Sequence, residues 1–140
     1  MLQRVKERTQ VTHPEDVAEI IRALLKAESK TDREKEHWWV IGLNTRNTIK
    51  YVDLVALGIL DSCICHPRET FRLAILKGVS SIILAHNHPS GDPEPSPDDR
   101  ELTNRITNAG EIIGIKVLDH VIVGNGSQMS VSLKDRGTVR

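Results

Sequence analysis

Along the 140 residues, apolar side chains switch repeatedly between helical and strand-like spacing. That alternation narrows the possible folds more than any other property of the chain. Val17, Ile20, Ile21, Leu24 and Leu25 make one helical stripe. Thr12 and Glu15 form a capping-box pattern ahead of it, with Pro14 in the first turn. In "HWWVIGLNTRNTIKYVDLVALG", two runs rich in β-branched residues flank the polar turn Asn44-Thr45-Arg46-Asn47, which predicts a hairpin. Residues 61–65 read as another short strand. Pro67 opens a helix with Phe71, Ala74 and Ile75 facing inward, and Gly78 stops it. "SSIILAH" is a short buried strand, a further helix begins near Pro97, and "IKVLDHVIVG" and "MSVSL" close the series as strands. The charged stretch 28–36 reads as a helix end and connector, and residues 1–11 as loosely ordered. This order predicts a single α/β domain over residues 1–140, a layered mixed sheet flanked by helices.

With two Trp, one Tyr and one Phe, the core must be aliphatic. Trp38 and Trp39 alternate across a strand, so one is expected to pack inward and the other to meet a helix or a partner. Basic and acidic residues balance at 19 each, without the basic excess expected of a general polyanion binder. No apolar stretch approaches the ~20 residues of a membrane span, and no signal peptide is visible. Cys63 and Cys65 are too close in sequence for an ordinary structural disulfide. A reducing, cytoplasmic compartment is therefore expected.

The chemistry concentrates in "HNHPSGDPEPSPDD", residues 86–99. His86 and His88 are two apart at a strand end, so both side chains point the same way. Asp99 opens the next helix, and a loop stiffened by prolines can fold back to bring its carboxylate to them. Two imidazoles and one carboxylate suit zinc, with a fourth position left for water. Zinc lowers the pKa of such a water towards ~7. Hydrolysis would then need a nearby carboxylate to move the proton and a donor for the developing oxyanion. Ser96, three residues before Asp99, is placed to be that donor. It also suits a helix N-cap, with Pro97 at the first helical position.

The spacing His-x-His, seven residues, Ser-x-x-Asp resembles the signature of the JAMM (MPN+) zinc metalloproteases. The full string "HNHPSGDPEPSPDD", with "EHWWVIGLNTRN", "HPRETFRLAI" and "VLDHVIVG", is similar to the RadC family within that group. The likeness spans roughly residues 30–133. It implies a curved sheet flanked by helices, similar to the cytidine-deaminase architecture. It implies one zinc per chain on His86, His88 and Asp99, with Ser96 steadying the tetrahedral intermediate. It also implies a glutamate before the first core strand as general acid/base. Glu36 matches that position, Glu34 is the second choice and Glu69 the third. The implied substrate is a protein or peptide, such as the C-terminus of a ubiquitin-like protein. RadC proteins also carry a DNA-repair label, and many have an N-terminal helix-hairpin-helix region. The roughly 30 residues ahead of the likeness are too few for that region.

Other readings compete with these. Cys63, Cys65 and His66 have ligand-like spacing, but free cysteines often serve as small core residues. Asp119 and His120 read as a polar pair near the sheet end, and His13 and His37 as structural or exposed. Asn87 reads as shaping the turn or hydrogen-bonding a loop backbone, ahead of a substrate contact, and Asp92, Glu94 and Asp98 as solvated or capping. For the whole chain the alternatives are a DNA-associated accessory protein, a metal-stabilised interaction module without turnover, and a nuclease. The charge balance argues against nucleic acid, and a single metal site is not the usual two-metal arrangement of a nuclease. Exposed strand edges would suit a homodimer.

Overall fold

The computed structural model describes residues 1–5, 9–59 and 65–139. The elements run α1 (Pro14–Lys26), α2 (Lys30–Arg33), β1 (Glu36–Leu43), β2 (Ile49–Gly58), α3 (Pro67–Lys77), β3 (Ser81–His88), α4 (Pro97–Ile113), β4 (Lys116–Gly124) and β5 (Ser130–Ser132). The strands form one open mixed sheet in the order β2-β1-β3-β4-β5. Only β3 and β4 run parallel, joined through α4, and the other neighbours are antiparallel. Among the described residues no helix is long and apolar enough to cross a membrane.

Strand parity divides the core into two layers. Trp39, Ile41, Ile83 and Ala85 face α1, whose Val17, Ala18, Ile21 and Leu25 are buried against them. Trp38, Val40, Ile82 and Leu84 face α3 and α4, meeting Phe71, Ala74 and Ile106. Burying each such large apolar side chain is worth about 1.5–3 kcal/mol, so both faces are firmly held. Helices on both sides explain why Trp38 and Trp39 are each fully buried, and neither is left for a partner.

β3 carries its parity to the end of the strand. His86 and His88 therefore continue the row of Ile82 and Leu84, on the α4 side of the sheet. The pairing of β3 with β4 slips by one residue. Ile82 faces Val117, and Ile83 faces Asp119, so Leu118 is the extra residue of a bulge. Val117 and His120 are three apart, and strict alternation would put them on opposite faces. The bulge reverses this and turns His120 to the α4 side as well.

Several local expectations shift. Helix α1 starts at Pro14 with His13 as its N-cap, and Asp16, not Glu15, reaches back to accept the Thr12 and His13 N–H groups at 2.9 Å each. The polar connector contains the short helix α2, capped by Ser29. Gly78 ends α3 in the left-handed region as expected (φ 64°), but Ile75 is exposed where an inward face was expected. The described part of the segment before α1 contacts the sheet. Leu2 bridges to Asp53, Gln10 bridges to Thr48 and Val11 is buried, so it covers part of the β2 edge. The strand expected at residues 61–65 falls largely on 61–64, outside the described residues.

Candidate metal centre

The loop between β3 and α4 returns the chain to the strand it has just left. Pro93 and Pro95 are buried, and Glu94 between them points outward to Arg136 through two bonds of 2.6 and 3.0 Å. Gly91 (φ 92°) lies flat on Gly124 at the end of β4. A Cβ at residue 124 would stand 2.0 Å from the Gly91 carbonyl oxygen, so only glycine permits this approach.

The loop delivers Asp99 in a fixed pose. Ser96 caps α4, its Oγ accepting the Asp99 N–H at 3.1 Å, while Asp99 Oδ2 accepts the Ser96 N–H at 2.9 Å. This reciprocal cap leaves the carboxylate facing the two histidines. His88 Nε2 lies 3.1 Å from Asp99 Oδ2, His86 Nε2 lies 3.4 Å from Asp99 Oδ1, and the two ring nitrogens are 3.0 Å apart. His86, His88 and Asp99 form a group that could hold a metal ion.

Two observations test whether a metal fits. The two ring nitrogens are 3.0 Å apart and lie 3.4 and 3.1 Å from the two oxygens of one carboxylate, near the donor spacing of a zinc tetrahedron, about 3.3–3.4 Å for bonds of 2.0–2.1 Å. Electron pairs also converge there. His88 Nδ1 lies 2.8 Å from the Asp92 carbonyl, which can only accept, so that nitrogen carries the proton. This leaves Nε2 to face the carboxylate and the other imidazole, an arrangement that needs a cation between them. With no metal a proton serves. The bond to the Asp99 carboxylate raises the His88 pKa above the ordinary imidazole value, against the opposing effect of burial. Burial opposes ionisation of Asp99, but the positive charge held between His86 and His88, with the Ser96 N–H, outweighs it and holds the carboxyl far below the usual range.

Glu36 begins β1 beside this group. Trp38 pairs with His86 across β1 and β3, and Glu36, two residues earlier, lies on the same face. Glu36, Trp38, Ile59, His86, Ser96 and Asp99 line a common cleft of about 520 Å³. Glu34 is the exposed C-cap of α2, and Glu69 is exposed in the first turn of α3. Of the three glutamates weighed from sequence, Glu36 alone is at the cleft. Asn87 points to the opposite face. Its Oδ1 accepts the His37 N–H at 2.7 Å, and its Nδ2 donates to the Lys35 carbonyl at 3.0 Å and to Asn125 at 2.8 Å.

The remaining candidates lie elsewhere. Cys65 is a buried core residue, and Cys63 lies outside the described residues. His66 and His13 are the N-caps of α3 and α1. His37 is buried, stacked on Trp39 and bonded to Glu28 at 2.5 Å. The pair Asp119–His120 needs correction. Asp119 ties β4 to β5 through Ser132 and Lys134. His120 belongs to the site itself, with Nε2 2.6 Å from His86 Nδ1 and Nδ1 2.6 Å from Thr103 Oγ1. Sequence reasoning missed both His120 and Thr103. A histidine inside the apolar run "HVIV" was the available signal.

An open mixed sheet with two histidines at one strand end and an aspartate opening the following helix defines an α/β domain of the JAB type. The family model of the RadC-like JAB domain matches residues 11–138, and the chain belongs to that family. It is 47% identical over 137 residues to a UPF0758 protein of Caldanaerobacter subterraneus, covering 98% of this chain and 56% of the relative. It is 52% identical over 101 residues to a UPF0758 protein of Desulforudis audaxviator, covering 72% and 44%. A UPF0758 protein of Rubrobacter xylanophilus is 44% identical over 127 residues, covering 91% and 52%. The chain spans about half the length of the curated relatives it matches.

Proposed function

We propose that the chain is a zinc-dependent hydrolase of peptide or isopeptide bonds, with His86, His88 and Asp99 holding one zinc. The convergence of three donor groups, with Glu36 in the same cleft, carries this reading. A bound zinc supplies Lewis acidity and makes a water nucleophilic near neutral pH. Glu36 takes the proton from the attacking water and delivers it to the departing nitrogen as the C–N bond breaks. Accepting the Asp99 N–H uses one lone pair of Ser96 Oγ, so its hydroxyl proton is available to donate to the developing oxyanion. Trp38, Ile59 and Leu102 give the cleft apolar walls, and its size suits a short extended segment of a protein, such as the tail of a ubiquitin-like substrate.

The test compares wild type with Glu36→Gln on a panel of ubiquitin-like fusions and unstructured peptides. Glu36→Gln is expected to keep its zinc and lose about 10²–10⁴-fold in hydrolysis. Full activity in Glu36→Gln would remove that residue from the chemistry. A zinc-loaded wild type inert across the panel would favour an interaction module without turnover.

A further inference from the structure

A buried chain of three hydrogen bonds runs behind the candidate ligands, linking two of them from the far side. The Thr103 hydroxyl has one proton, and it is given to the main-chain carbonyl of Asp99 at 2.7 Å. Thr103 Oγ1 must therefore accept in its 2.6 Å contact with His120 Nδ1, which places a proton on that nitrogen. Thr103 and His120 are both fully buried, and the ring nitrogens of His120 meet His86 and Thr103 rather than a carboxylate, so a charged ring would have no counter-ion and the ring is neutral. A neutral ring protonated at Nδ1 has a bare Nε2. That atom lies 2.6 Å from His86 Nδ1, so the proton between the rings sits on His86. The same rule then leaves His86 Nε2 bare, facing His88 and Asp99.

We propose that Thr103 and His120 are positioning residues: Thr103 fixes the tautomer of His120, and His120 fixes His86 with its Nε2 lone pair turned to the metal position. The bulge in β4 makes this possible, because it turns His120 to the α4 face. Trp38 packs edge-on against His120 with ring centroids 5.1 Å apart, closing the other side of the ring. The circuit starts at the Asp99 carbonyl and ends at the imidazole beside the Asp99 carboxylate, so one network sets two donors. Its effect on metal affinity rests on the zinc reading above; the tautomer assignment does not.

The experiment has two readouts besides activity. Long-range ¹H–¹⁵N spectra of the histidine rings in the metal-free wild type should show His86 and His120 protonated at Nδ1. A wild-type spectrum with His86 protonated at Nε2 overturns the proposal. Zinc affinity is then compared across Thr103→Val, which keeps the shape but loses the hydroxyl, and Thr103→Ser, which keeps the hydroxyl. Thr103→Val is expected to weaken binding about 10–100-fold, with Thr103→Ser close to wild type. Equal affinity in wild type and Thr103→Val overturns the positioning role and leaves the metal reading standing. A Thr103→Ser as weak as Thr103→Val assigns the effect to packing and overturns it too. A wild type that binds no zinc removes both this role and the metal reading.

Discussion

Asn87 stands between His86 and His88 in sequence, yet its carboxamide serves Glu36. It holds the Lys35 carbonyl and the His37 N–H, the two main-chain groups that bracket Glu36. One residue therefore ties the strand of the ligand candidates to the strand of the proposed base. Asn87→Ala strands the His37 N–H in the interior, at a cost of about 1–3 kcal/mol. Hydrolysis is expected to fall far more than zinc affinity, because His86, His88 and Asp99 keep their own supports. Urea unfolding, zinc affinity and turnover of the folded fraction check this, and unchanged turnover would contradict it. At this scale the sequence was informative where placement follows spacing. His86, His88, Ser96 and Asp99 sit at fixed intervals along one strand, loop and helix, and that spacing made them readable. Asn87 was readable as a turn-shaping or backbone-bonding residue, but the main-chain groups it holds were not, because they lie 50 and 52 positions away in the chain.

At the scale of elements, β4 shows what a sequence conceals. Nothing in "IKVLDHVIVG" marks the extra residue, yet the bulge at Leu118 decides which way His120 faces. Read with strict alternation, Asp119 and His120 looked like a polar pair at a strand end. In the fold they serve different structures on opposite sides of the sheet. The hairpin, α3, β3 and α4 were legible because turn residues, an opening proline and a closing glycine mark their ends. The short α2 was not, since its four residues carry no apolar stripe and no buried side chain. Asp119 offers a test of the β4–β5 link. Burial, its largest influence, raises the carboxyl above its ordinary value, against bonds from Ser132, Lys134 and His120. A raised folded-state pKa means that its contribution to stability is fully present below the unfolded value and is lost as pH rises through the folded one. Asp119→Asn keeps an accepting oxygen and cannot ionise. It is therefore expected to gain stability relative to wild type as pH rises from about 4 to 7. Urea midpoints at the two pH values check this, and a relative loss at neutral pH would contradict it.

For the whole molecule, the class of fold followed from the alternation of helical and strand-like runs, and the two-sided burial of the sheet did not. β1, β3 and β4 are apolar on both faces, and only the packing of α1 against one and α3 with α4 against the other explains Trp38 and Trp39 together. That sandwich gives the candidate metal centre its rigidity. His86 is anchored in the buried sheet, Asp99 in a capped helix, and the loop between them on Gly124 and Arg136. A site so built pays little ordering cost on binding and should be ready for its ion before the ion arrives. Zinc content and affinity, measured on the metal-stripped wild type and on His88→Ala, test this most directly. The account predicts one zinc per chain in wild type and none retained by His88→Ala. A wild type that takes up no zinc, or a His88→Ala that binds it equally well, would contradict it.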